Sequence, residues 1–260
     1  MEKKLYKDQM GREVKIVKQP SRIISLVPSQ TELLIDLGLS DQIVGLTKFC
    51  VHPKELKQQK TIIGGTKNFR FNTIRSLQPD LIIGNKEENY KEGIEILEKE
   101  FPVWMSDIYD LSNAYEMMES IGEITGSGKA VQNLVGEIKS SFQDLEKIKG
   151  SVLYLIWQDP FIGAGQNTFI NNMLEMIGFR NVLGGERYPS LQIQDIEDLD
   201  PEYILLSSEP FPFKEKHMDF FKDRFPNAKP VLVDGEMFSW YGSRLRYAPV
   251  YFNSLKNSLN

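Results

Sequence analysis

The run Leu77-Gln78-Pro79-Asp80-Leu81-Ile82-Ile83 returns as Leu199-Asp200-Pro201-Glu202-Tyr203-Ile204-Leu205. Proline cannot continue a helix, and the apolar run after it has strand character, so each copy spells a helix end, an acid and a buried strand. Each copy follows an amphipathic stretch that stops at glycine, residues 31–38 and 169–178. Each strand then runs into a polar loop, Asn85-Lys86-Glu87-Glu88 or Ser207-Ser208-Glu209-Pro210. The repeat predicts two α/β lobes, with matching loops at the strand ends where such lobes place a ligand.

The rest of the chain fits that division. Its 260 residues, 41% of them hydrophobic, suffice for two lobes of about 100 to 150 residues each. Strands expected at 22–27, 43–46, 81–83 and 103–105, and again at 152–156, 203–205 and 231–233, alternate with helices and specify parallel or mostly parallel sheets. Residues 1–19 read as a hairpin turning at Asp8-Gln9-Met10-Gly11-Arg12. Ser29, three residues before Glu32, reads as the N-cap of a helix stopped by Gly38. Between the lobes, Val131, Leu134, Val135, Ile138, Phe142, Leu145 and Ile148 keep helical spacing, so a helix over 129–149, about 30 Å long, is expected as a rigid spacer. The fold class is α/β: two Rossmann-like lobes with central parallel sheets, spanning 1–126 and 151–260, joined by one long backbone helix within 127–150.

A net charge of −5 with scattered Lys and Arg argues against a nucleic-acid partner, and no apolar run is long enough to span a membrane. The start carries no apolar run of secretory length, which leads to the expectation that the full-length chain is found inside the cell. Cys50 is the single cysteine, so no intramolecular disulfide forms. Cys50 and His52 lack further soft ligands, since His217 lies on a surface-like helix, and no intrinsic metal or other cofactor is expected. Gly163-Ala164-Gly165 lacks the context of a phosphate loop, and Ser243 that of a nucleophile elbow.

Chemistry concentrates instead on loops after strands. Phe238-Ser239-Trp240-Tyr241-Gly242-Ser243-Arg244 is the densest aromatic group outside a regular period and suits a flat ligand wall, with Arg244 stacking or recognising an anion; Arg244 paired with Asp234 is the plainer alternative. Trp157, between a strand and Asp159-Pro160-Phe161, reads as a second aromatic contact, whereas Trp104 lies inside a strand and reads as core. Glu209 and one of Glu87 and Glu88 are the acidic candidates, although acids before a helix also serve its dipole.

The run from Arg22 to Gly38, the Gly64-Gly65-x-x-Asn68 loop before Leu77-Gln78-Pro79-Asp80, and Val231 through Arg244 together resemble the substrate-binding proteins with a helical backbone (class III) that serve ABC importers of cobalamin, ferric siderophores and haem. The likeness runs from Arg22 to Leu255 and is greatest to the cobalamin branch. It implies a monomer that holds a ligand between two lobes, changes shape little, and partners an ABC permease. Carried over by motif, the ligand contacts are Phe49, Thr66, Lys67, Asn85, Lys86, Glu87 and Glu88 in the first lobe; His52, beside Cys50, is the candidate axial contact to a metal carried by the ligand. In the second part of the chain they are Trp157, Phe161, Tyr188, Glu209, Phe211, Phe213, Asp234, Phe238, Ser239, Trp240, Tyr241 and Arg244. Where the family has permease-docking glutamates, this chain has Asn72 and Gln194, with Asp195 and Glu197 as nearby carboxylates. The expected function is a non-catalytic receptor for a metal chelate, any metal arriving inside the ligand. The alternative is a cytosolic enzyme or chaperone acting on such a chelate, with Glu87, Glu88 or Glu209 as acid/base groups.

Overall fold

In the computed structural model, which describes residues 4–259, the two Pro-acid copies adopt the same geometry. Gln78 and Asp200 cap the helices Phe71–Leu77 and Ile193–Leu199 at φ 44° and 41°, a left-handed conformation that ends each helix before its proline. The acid then anchors the neighbouring strand. Asp80 accepts from the backbone N–H groups of Ser21 and Arg22, beside strand Ile23–Ser25, and Glu202 accepts from the N–H of Ser151, which opens strand Ser151–Trp157. The glycine stops match as well. Gly38 and Gly178, at φ 77° and 95°, close helices Pro28–Asp36 and Phe169–Met176 with equivalent pairs of bonds: Gly38 to Ile35 and Leu39 to Leu34, Gly178 to Glu175 and Phe179 to Leu174.

The chain divides into two compact units: one takes the chain up to Ile108, Ser112–Lys139 and Tyr241–Arg244, the other Tyr109–Leu111, Ser140–Trp240 and the chain from Leu245 onward. In the first unit five parallel strands lie in the order Thr61–Ile62, Ile43–Leu46, Ile23–Ser25, Leu81–Asn85, Val103–Ser106. Their almost continuous burial is that of a parallel sheet covered on both faces, with Ile24, Ile82 and Met105 in its core; Trp104 is also fully buried, as expected. The N-terminal hairpin forms from Lys4–Lys7 and Glu13–Ile16, and its turn is held by Asp8, which accepts from the N–H groups of Met10 and Arg12.

In the second unit Ser151–Trp157 is flanked by the parallel strands Tyr203–Ser207 and Arg180–Asn181, and Lys229–Val233 follows Tyr203–Ser207. An antiparallel extension, Phe161–Gly163 with Ser190–Leu191, was not expected from the sequence, because strands of two or three residues carry no readable alternation. Leu153, Ile204 and Phe221 are central to this unit's core.

Two expectations are corrected. The helix expected over 129–149 is Gly128–Ser141. Phe142 and Leu145 kept helical spacing but are only half-buried, and beyond the helix the backbone finds other partners: Glu146 N–H donates to Asn253 Oδ1, and Ile148 N–H to the Ile177 carbonyl. No separate spacer body results, since the helix groups with the first unit through Lys139 and with the second from Ser140. Ser29 is not the N-cap either: Val27 holds that place, Pro28 opens the helix, and Glu32 is engaged by Arg244 instead of closing a capping box.

Candidate functional site

The first unit's strand order reverses between Ile23–Ser25 and Leu81–Asn85, and in open α/β sheets the crevice beyond the carboxyl ends at such a reversal receives ligands. The loop that emerges there is tightly built. Asn85 Oδ1 accepts from the N–H groups of Glu87 and Glu88 at 2.8 and 3.1 Å, while Asn89 Oδ1 accepts from Asn85 N–H at 2.9 Å. Asn85 is therefore buried scaffolding that presents Glu87 and Glu88, both half-exposed and both ahead of helix Lys91–Leu97. Lys67 donates to the Glu87 carbonyl at 2.7 Å and Asn89 to the Thr66 carbonyl at 3.1 Å, so the loops at 64–68 and 85–89 are joined. Lys86 is turned to Asp107.

Phe49, 48% exposed, lies on the loop after Ile43–Leu46, with the Lys48 ammonium 4.9 Å from its ring centroid. A Cβ on Gly65 would stand 3.1 Å from the ring, so the bare backbone there forms the seat of Phe49. Cys50, on the same loop, is buried against Thr31 and Thr47, and burial pushes its thiol up from the ordinary value. It has turned inward, and His52 is half-buried two residues on. Among the described residues no group of three or more His, Cys, Asp and Glu side chains is placed to hold a metal ion.

Tyr241 and Arg244 belong to this unit. The Tyr241 hydroxyl donates to Glu88 at 2.8 Å, and burial, followed by the adjacent Glu88 charge, holds the phenol well above its ordinary range. Arg244 grips Glu32 with two bonds, at 2.9 and 2.6 Å. Burial raises the Glu32 carboxyl even with that cation beside it.

In the second unit the carboxyl ends of the parallel strands present Trp157, Glu209 and Asp234. Trp157 is 39% exposed and meets the edge of Phe211 at 5.7 Å between centroids. Phe211 in turn lies 5.5 Å from the ring of His217, a residue that the sequence places on a surface-like helix. His217 Nδ1 accepts the Lys214 N–H at 2.8 Å at the start of helix Glu215–Arg224, so a capping role orients the ring. Glu209 Oε1 accepts from Ser239 Oγ at 2.8 Å and from the Trp240 indole N–H at 2.9 Å, and burial raises its carboxyl. The turn below requires glycine at 235, where a Cβ would stand 2.4 Å from Ser207 Oγ. Asp234 Oδ1 accepts from the Glu236 N–H at 3.1 Å.

Three expected contacts are core residues instead. Phe161 packs on Phe221, Phe213 on Phe221 and Phe211, and Phe238 on Tyr154 and Phe252, all with little or no exposure. A phenylalanine beside a strand end has the same local sequence signature whether its ring turns inward or outward. Trp240 is also buried, its indole serving Glu209, while Tyr188 is half-buried beside the short antiparallel extension. On the helices Phe71–Leu77 and Ile193–Leu199, Asp195 accepts from Gln192 N–H, Glu197 pairs with Arg224, Gln194 donates to Asp198, and Asn72 accepts from Arg75.

Comparison with known proteins agrees with this architecture. An ABC transporter substrate-binding lipoprotein of Bacillus subtilis, YvrC, is 31% identical over 218 residues, covering 76% of this chain and 67% of the relative. A vitamin B12-binding protein of Vibrio campbellii is 23% identical over 194 residues, covering 72% and 70%. The fold recurs in the petrobactin-binding protein YclQ of Bacillus subtilis, with TM-score 0.80, 17% identity and coverage of 100% and 99%. It recurs also in the vitamin B12-binding protein BtuF of Vibrio cholerae, with TM-score 0.73, 17% identity and coverage of 91% and 98%. Among the described residues no helix is long and apolar enough to cross a membrane. The family model described as periplasmic binding protein matches residues 23–228, and the chain belongs to that family.

Proposed function

We propose that the chain is the receptor component of an ABC importer and holds a corrinoid-type metal chelate without transforming it, the metal arriving inside the ligand. The carrying observation is the composition of the two carboxyl edges. Each offers a large exposed ring, Phe49 or Trp157, and a pair of carboxyl side chains on loops past the strand ends: Glu87 and Glu88 on one sheet, Glu209 and Asp234 on the other. The rings suit a flat conjugated macrocycle, and the carboxylates are acceptors for the amide N–H groups around a corrinoid. At the edge of the second sheet, haem propionates and anionic catecholate chelates would meet like charge at Glu209 and Asp234. The vitamin B12-binding relatives support this choice, and the family supports the importer role with an ABC permease as partner.

The test is titration with cyanocobalamin, dicyanocobinamide, haem and a ferric catecholate siderophore, followed by calorimetry and absorbance. Stoichiometric binding of a corrinoid, recovered with its spectrum unchanged, is the expected result. Preference for haem or the siderophore would refute the corrinoid assignment, and conversion of the ligand would refute the receptor role.

A further inference from the structure

Four residues from the C-terminal part of the chain, Tyr241–Arg244, group with the first unit although Ser140–Trp240 before them and the residues from Leu245 group with the second. The segment lies directly on helix Pro28–Asp36: a Cβ on Gly242 would come within 2.7 Å of the Ser29 carbonyl and 3.4 Å of Leu33 Cβ. It is fastened at both ends. Arg244 Nε and Nη2 bind the two Glu32 oxygens, with side-chain exposures of only 12% and 13%, and the Tyr241 hydroxyl donates to Glu88 Oε1.

We propose that Arg244 is a positioning residue: its grip on Glu32 docks Tyr241, and the Tyr241 phenol then fixes the Glu88 carboxylate at the carboxyl edge of the first sheet. The argument runs from geometry to constraint. Asn85 Oδ1 accepts from the backbone N–H groups of Glu87 and Glu88, and the Tyr241 phenol adds a bond to the Glu88 carboxylate itself. A preorganised acceptor binds a ligand donor with less ordering cost than a mobile one. The planar guanidinium fork matches a carboxylate in one orientation, so it fixes the angle of the segment as well as its presence. Glu32, read from sequence as a helix-capping acid, thereby becomes the anchor of a segment more than two hundred positions along the chain, as the pairing with Arg244 shows.

The consequence for affinity rests on the binding role proposed for Glu88, so the test has one readout without ligand and one with it. In the full chain, Arg244→Gln, Arg244→Lys and Tyr241→Phe are compared by amide hydrogen exchange. Arg244→Gln should speed exchange at 87–88 and 241–244 by about tenfold or more, while strands Ile23–Ser25 and Leu81–Asn85 keep their protection. Arg244→Lys, which retains the charge without the fork, should fall between the two. Tyr241→Phe should loosen 87–88 and leave Arg244 protected. Unchanged exchange at 87–88 in both Arg244→Gln and Tyr241→Phe, or loosening across the whole sheet, would overturn the proposal. With cyanocobalamin as probe, Tyr241→Phe should weaken binding about tenfold with little change in melting temperature, the factor expected for one hydrogen bond to a charged group. Unaltered affinity in both variants would also overturn it. If the wild type fails to bind cyanocobalamin yet the exchange pattern appears, the corrinoid assignment fails and the positioning role stands.

Discussion

Glu209 shows how much one side chain's surroundings decide. Burial raises its carboxyl, and the hydrogen bonds from Ser239 and Trp240 offset only part of that. A raised native value means that the folded protein holds this proton more tightly than the unfolded chain. Glu209 therefore contributes most to stability below the ordinary carboxylate range, and that contribution is lost as pH rises through the raised native value. Glu209→Gln retains an acceptor for both donors, so urea midpoints measured between pH 4 and 8 should show a flatter profile in the variant; an unchanged profile would place the titration elsewhere. Legibility from sequence varied at this scale too. Phe49, Trp157, Glu87 and Glu88 stand at or just past the carboxyl end of a strand, a place that strand patterning marks in the sequence. Phe161, Phe213 and Phe238 occupy similar local positions with rings turned into the core, and His217 gained its aromatic neighbours only through folding.

At the scale of elements, local chemistry carried further where a sharp stop signal was present. Gly38 and Gly178 ended their helices through paired bonds that need a left-handed residue, and the two Pro-acid copies ended theirs in one residue. Helical spacing past Ser141 misled, because periodicity records which side chains are apolar and not whether neighbouring groups such as Asn253 will claim the backbone. Within Gly128–Ser141, Gly136 is exposed and no atom lies within 4 Å of the Cβ it lacks. Gly136→Ala should stabilise the protein by about 0.5 to 1 kcal/mol, mainly by restricting the unfolded chain. Urea denaturation would detect it, and a loss of stability would show that the helix does not run through this position in solution.

For the whole molecule, a receptor that binds only when folded must be stabilised by its ligand. At a free concentration of cyanocobalamin one hundred times its Kd the gain should be about 2.7 kcal/mol, read as a concentration-dependent rise in melting temperature. A midpoint indifferent to cyanocobalamin, haem and ferric siderophores alike would contradict the receptor reading. The sequence by itself determined the α/β class, the presence of two similar sheets, and the loops that follow their strands, because proline, glycine and strand patterning act over a few neighbouring residues. The tertiary structure alone decided which aromatic rings point outward, where the long helix ends, and that Tyr241–Arg244 rejoins the first unit through Glu32 and Glu88. Those outcomes depend on partners far apart in the chain, and no local pattern of residues encodes which distant group will meet them.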